Sequence, residues 1–243
     1  MTAINQLILK IEDLSVTRFD ASRKFIVQLP CLELYSGQIL ALTGQSGSGK
    51  STLLEVLGLI LKPDNLARFE LNLGKGNELD DLSCEILEKN ETLLAQIRSQ
   101  ALGFILQTGG LLPFLNVREN IFLTRSQKGL PNQADWITDI MVRLNIKRLA
   151  DKMPHQLSIG ERQRVAFIRA IAHEPLIVLA DEPTAALDPY TAETLFVLMQ
   201  EIAKERQLSI LLVSHDWKLI EKHGFKSIQA KSVSTHRSVF EYV

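Results

Sequence analysis

Apolar residues along the chain fall into two rhythms, one of short runs and one of helical spacing. The runs at 7–14, 25–34 and 39–42 predict strands that enter the fold as an antiparallel β unit, with Pro30 marking an edge or a bulge because proline has no N–H for a ladder. Residues 68–73 read as a further strand before the turn at 74–77, and 87–100 carries apolar residues at near-helical spacing. The runs 101–107, 176–180 and 209–214 are continuously apolar and end in polar residues, which predicts strands buried in a sheet. Between them Trp136, Ile137, Ile140, Met141 and Leu144 share one helical face after Asp135, an expected N-cap, and Trp136 is assigned to packing. Val165, Ile168 and Ala172 share a face of a second helix, opened by Ser158 and ended by Pro175, and 195–205 predicts a third.

The stretch 39–61 organises the rest. Its apolar strand runs into Gly44-Gln45-Ser46-Gly47-Ser48-Gly49-Lys50-Ser51-Thr52, and an apolar helix opens at Lys50. Glycines at 44, 47 and 49 permit positive φ and let backbone N–H groups close on a polyphosphate, while the helix points its positive end at the same place. Lys50 suits the β- and γ-phosphates, the Ser51 hydroxyl suits Mg²⁺, and Thr52 suits a phosphate from the first turn. A Gly/Ser surface loop would match by composition, but strand, spacing and helix together fit a nucleotide-binding loop.

Other candidates sit where strands are expected to end. Asp181 and Glu182 follow a strand, at the end where open parallel sheets bind ligands; Asp181 suits Mg²⁺ through water and Glu182 the attacking water. His215 follows another strand and can reach a γ-phosphate from the same edge. Gln107, ending a third, suits Mg²⁺ or a water, though taken alone it reads as a solvated loop residue. Ser158 has the position of a helix cap, which is a structural role unless the amides beyond it serve as a second anion site. Phe19 is the expected base-stacking ring, with Phe25 as the alternative.

Composition narrows the class. With 243 residues and 46% hydrophobic content the chain can bury a sizeable core. Its 27 Lys plus Arg against 28 Asp plus Glu leave no global field to attract nucleic acid or acidic lipid. Two distant cysteines, Cys31 and Cys84, fit a reducing compartment, and the start lacks the pattern of a secretory leader. The most apolar window, 53–61, contains Glu55 and is far short of the ~20 residues of a spanning helix.

On these motifs the chain resembles the ATPase subunits of ATP-binding cassette transporters. The loop at 44–52, Gln107, Leu157-Ser158-Ile159-Gly160-Glu161, the strand ending in Asp181-Glu182, Leu187-Asp188 and His215 occur in that family's order, and 103–120 is similar to its lipoprotein-release, macrolide-efflux and cell-division subfamily. The resemblance weakens at 62–100 and after Gly224. It implies an α/β P-loop NTPase core in a single ATPase domain over 1–243, with a mostly parallel sheet, an antiparallel β entry and a helical subdomain inserted at about 108–170. It also implies ATP and Mg²⁺ as ligands, with Ser51, Gln107 and Asp181 toward the metal and Glu182, His215 and Gln107 in catalysis. Phe19, residues 44–52, Ser158 and Gly160 would bind nucleotide. Two such subunits would pair head to tail, Ser158 and Gly160 acting on the partner's ATP, and would drive a membrane-spanning subunit on a separate chain from the cytoplasmic face, without nucleic acid. The alternative is a nucleotide-gated regulatory clamp of the cell-division type. The DNA-repair members need a long insertion between Gln107 and the signature, and only 50 positions separate Gln107 from Leu157 (157 − 107). Departures are Ile159 and Glu161 where the family has Gly and Gln, Phe19 for the usual Tyr, and Ala185 for Ser; an isoleucine at 159 is expected to keep an ordinary backbone, and Glu161 brings a negative charge toward ATP.

Overall fold

The structure, a computed structural model, describes residues 6–20, 23–74, 76, 78–132 and 134–243. It opens with β1 (Leu7–Asp20), β2 (Arg23–Tyr35) and β3 (Ile39–Thr43), followed by α1 (Lys50–Leu57), β4 (Arg68–Leu71), β5 (Asp80–Asp81), α2 (Ser83–Glu88) and α3 (Glu91–Ala101). After β6 (Leu102–Ile105) come α4 (Val117–Gln127), α5 (Asp135–Arg143) and α6 (Ile159–Ala172). The chain then alternates through β7 (Ile177–Asp181), α7 (Pro189–Arg206), β8 (Ser209–Val213) and α8 (Trp217–Lys222), and closes with β9 (Lys226–Ser234) and β10 (Arg237–Tyr242).

The described strands form one sheet in the order β5-β4-β1-β2-β10-β9-β3-β8-β7-β6. Its β9-β3-β8-β7-β6 half is parallel throughout, and β1, β2, β4 and β5 pair antiparallel, as the expected β entry requires. The two buried apolar clusters follow the period of two in the inner strands. Ile177, Leu179, Leu211 and Val213 pack with α1 and α3 on one face, and Val178, Ala180, Ile210 and Leu212 pack with α4 to α7 on the other. Burial on both faces is why these runs show no alternation. At roughly 1.5–3 kcal/mol for each large apolar side chain buried, they anchor the edge that carries the polar residues.

Several local expectations are corrected. The segment 87–100 is two helices, because Lys89 turns left-handed at φ 58° and Asn90 caps α3 by accepting the Leu93 N–H. Asp135 is the first residue of α5; the cap position is Ala134, which has no side chain to bond the free amides. The expectation at Pro30 holds as an edge: β2 runs through it beyond the 26–28 stretch that pairs with β10, and opposite it β1 takes φ 50° at Asp13, between the Glu12–Cys31 and Leu14–Leu29 partners. The strand at 68–73 stops at Leu71, and α7 starts six residues earlier than 195–205 suggests (195 − 189), since Asp188 caps it by accepting the Thr191 N–H at 3.0 Å. Helices α4 and α8 and strands β5, β9 and β10 are additions to the expected elements.

Candidate functional site

Parallel strands deliver their carboxyl ends to one edge. Leu42 stands opposite Val213, Val213 opposite Asp181, and Ala180 opposite Ile105, so the glycine loop, Gln107, Asp181-Glu182 and His215 emerge side by side.

The loop after β3 is shaped by steric necessity. A Cβ on Gly49, φ 93°, would lie 2.3 Å from the Val27 methyl, and one on Gly44, φ 144°, 2.7 Å from the Ala230 Cβ. The loop is therefore pressed onto β2 and β9, and only glycine fits. Helix α1 begins at Gly49 with no capping side chain and no acid in its first turn, which leaves its leading amides and positive end for an external anion. Lys50 is buried and its ammonium donates to the carbonyls of Gly44 at 2.9 Å and Gln45 at 2.8 Å. Burial pushes its pKa down, and the carboxylates of Glu182 and Asp181 act in the other direction.

Glu182 is the hub of the edge. It takes φ 48°, a conformation costing a non-glycine residue on the order of 1–3 kcal/mol, while its N–H donates to the Val213 carbonyl at 3.0 Å. Its carboxylate accepts from Gln107 Nε2 at 3.2 Å on one oxygen and from His215 Nε2 on the other. A carboxylate held between two donors beside a phosphate loop has the position of a group that orients water for in-line attack.

A cavity of about 400 Å³ lies over the loop, walled by Phe25, Gly44 to Ser48, His215, Trp217 and the polar edge of β9 and β10. Phe19 is 79% exposed near the end of β1 and does not line this cavity, whereas Phe25 does, with its ring close to Gly49. Ser51 and Gln107 are exposed and Asp181 half-buried, an oxygen donor set that suits a hard cation completed by phosphate oxygens.

Ser158 and Gly160 lie outside that cavity. Ser158 caps α6 through a closed box: its hydroxyl accepts the Glu161 N–H at 3.2 Å, and the Glu161 carboxylate accepts the Ser158 N–H at 2.8 Å. That backbone bond, ahead of any other cause, holds the Glu161 carboxyl below its ordinary pKa. Ile159 is half-exposed in ordinary helical geometry, as expected for a β-branched residue. At Gly160 a Cβ would sit 3.3 Å from Leu187, so the signature helix rests closely on the loop before α7.

Gln163 and Arg169 went unread in the sequence. The Gln163 amide donates to the Gln107 carbonyl, and Arg169 donates to the carbonyls of Gly110 at 2.7 Å and Gly109 at 3.1 Å. The available signal was a glutamine at helical spacing from Ala166, Phe167 and Ala170, on the apolar face of the helix.

The sequence pattern of the ABC transporter family matches residues 30–185. Among curated relatives, the lipoprotein-releasing system ATP-binding protein LolD of Buchnera aphidicola is 39% identical over 194 residues, covering 79% of this chain and 80% of that protein. The bacitracin export ATP-binding protein BceA of Halalkalibacterium halodurans is 37% identical over 187 residues, covering 76% and 70%. Among solved structures, a dimeric bacterial ABC transporter cassette superposes with TM-score 0.75 at 29% identity, covering 91% of this chain and 94% of that one. The dimeric cassette in a post-hydrolysis state bound to ADP and Pi gives TM-score 0.74 at the same identity and coverage.

Proposed function

The chain belongs to the ABC transporter family as an ATP-binding subunit, and on that premise we propose how its residues divide the work. It hydrolyses ATP, pairs with a second ATPase subunit and acts with a separate membrane-spanning subunit. The turnover reading is favoured over the regulatory clamp.

In this reading the triphosphate lies along residues 44–52, with Lys50 leaving the loop carbonyls for the β- and γ-phosphates. Phe19 stacks on adenine. Ser51, Asp181 and Gln107 hold Mg²⁺, which supplies charge neutralisation on the phosphates when bound. Glu182 polarises the attacking water and His215 fixes the carboxylate and meets the γ-phosphate. Ser158 and Gly160 complete the partner's site, which agrees with their place outside this chain's own phosphate cavity and with the exposed ring of Trp217 on that cavity's wall. Residues 108–170 form the helical subdomain.

The membrane subunit docks on the groove of about 490 Å³ between β6, α4 and α6, walled in part by Phe104, Leu112 and Leu123. Phe114, 71% exposed, supports a docking role for the segment after Gln107 over a buried one. Among the described residues no helix is long and apolar enough to cross a membrane. Membership of the ABC transporter family supports a subunit that works from the cytoplasmic face as a peripheral component. Relatives named for lipoprotein release and bacitracin export support a membrane subunit of those classes.

The observation that carries the catalytic assignment is Glu182 held at positive φ between Gln107 and His215. Glu182→Gln is expected to bind ATP as the wild type does, to accumulate an ATP-bound dimer on sizing, and to lose phosphate release by about a hundredfold or more. Turnover near the wild-type rate would remove Glu182 from the role.

A further inference from the structure

The segment that follows Gln107 is held by helices and not by the sheet. β6 pairs with β7 as far as Ile105, and beyond it the backbone contacts change hands. The Gln107 carbonyl accepts from Gln163 on α6, and the Gly109 and Gly110 carbonyls accept from Arg169 on the same helix. The buried Asn120 of α4 then accepts the Leu112 N–H at 2.8 Å and donates to the carbonyls of Leu112 and Leu115. Gly109 and Gly110 take φ 77° and 56°, which turns their carbonyls toward α6.

Gln163 is 2% exposed, and its amide oxygen is left without a partner. A carbonyl acceptor at Gln107 obliges the nitrogen of the amide to face it, so the unpaired oxygen is the cost of that one bond. Helix α6 is itself seated hard on β6, where a Cβ on Gly103 would lie 2.2 Å from the Ala170 carbonyl. The same rigid helix thus presents Ser158 at its N-terminus and, about 7–8 Å along its axis, grips the backbone of Gln107.

We infer that Gln163 is a positioning residue for Gln107, fixing that side chain over its own nucleotide relative to the serine that α6 offers to the partner's nucleotide, with Arg169 holding the rest of the segment to the helix. The inference rests on the reading of Gln107 and Ser158 given above. It makes α6 the common frame of the two ATP sites of a dimer.

A double-mutant cycle in the full chain tests it. Gln163→Met keeps the volume and removes the donor. With steady-state phosphate release as the readout, kcat is expected to fall about three- to tenfold with KM for ATP and the thermal midpoint little changed, the scale of one buried hydrogen bond. In a Gln107→Ala background the same substitution is expected to cost less than about twofold further, because its route of action is gone. Equal losses in both backgrounds, or wild-type kcat in Gln163→Met, would overturn the inference. Should Gln163→Met fail to fold, Arg169→Lys at the groove edge is taken through the same cycle with the same expected non-additivity. Wild-type turnover in Gln107→Ala alone would instead sink the reading of Gln107, a separate result.

Discussion

On the proposed reading two helices of this chain point their N-termini at phosphate, and they are built in opposite ways. Helix α1 starts at a left-handed glycine, has no side-chain cap and no acid in its first turn, and is preceded by a loop that tolerates no Cβ at Gly44 or Gly49. Helix α6 starts at a serine whose box with Glu161 satisfies two of its own orphan N–H groups and places a carboxylate over its positive end. An uncapped end costs stability on the order of 1 kcal/mol until a ligand fills it, so α1 is organised for binding. A capped end is complete before any partner arrives. On the proposed reading that suits a surface that must wait in water for the other subunit and then add only a weak, reversible contact. The difference also explains how Glu161 is tolerated: its carboxylate is bonded to its own helix, which blunts the charge without removing it.

The contrast can be broken at its stronger end first. Gly49→Ala must give up φ 93° or push Val27 aside. We expect ATP affinity measured by calorimetry to fall more than about a hundredfold, roughly 2.7 kcal/mol, together with a lower thermal midpoint. Affinity within a few-fold of wild type would mean that the open α1 end is not the main phosphate site.

At the capped end, Ser158→Arg is expected to leave ATP binding by the single subunit within about twofold while ATP-induced dimerisation on sizing disappears and turnover drops by more than about thirtyfold. The lost cap lowers the midpoint by only about 1 kcal/mol equivalent. A mutant that dimerises and hydrolyses normally would show that α6 does not serve a second nucleotide.

Glu161→Gln sharpens the comparison without breaking it. Glutamine keeps the box and removes the charge, so stability should change by less than about 0.5 kcal/mol. ATP-driven dimerisation should tighten by about two- to fivefold, the scale of one charge at a helix terminus. An unchanged or weaker dimer would mean that the carboxylate does not reach the partner's phosphates.

The smallest effect is in acid. The Glu161 carboxyl is held below its ordinary value of 4.5, so the stabilisation from its box is fully present above that pH and is lost as pH falls through the depressed value. Amide exchange at Ser158 and Glu161, corrected for intrinsic rates, should accelerate as pH falls through the depressed value, while Leu53 of α1, whose N–H donates to the Gly49 carbonyl with no acid in that turn, holds its protection. Parallel behaviour of the two ends would contradict the box.

Much of this was open to reading from the residues. The glycine loop, the strands at 176–180 and 209–214 and the polar residues after them declare themselves locally, because a doubly buried strand must be apolar and a phosphate loop must be glycine. The break in 87–100 at Lys89 was not legible, since nothing in a lysine announces φ 58°. Strands β9 and β10 were missed because their half-exposed, polar-rich pattern is that of many loops; their place in the sheet comes from pairing with β3 and β2. Among the site residues, Glu161 read as a charge brought to ATP, and only its bond to the Ser158 amide shows where that charge goes.

The sequence by itself determined the chemistry: which residues can bind phosphate, metal and water, and in what order they come. Tertiary structure decided the company they keep. Glu182 meets Gln107 and His215, which are 75 and 33 positions away along the chain (182 − 107 and 215 − 182), because parallel pairing of β6, β7 and β8 in a fixed register brings three strand ends together. Gln163 meets the Gln107 carbonyl because Gly103 lets α6 settle onto β6. Composition and spacing act over a few residues, whereas these contacts depend on sheet register and helix seating, which are set by burial summed over the whole core.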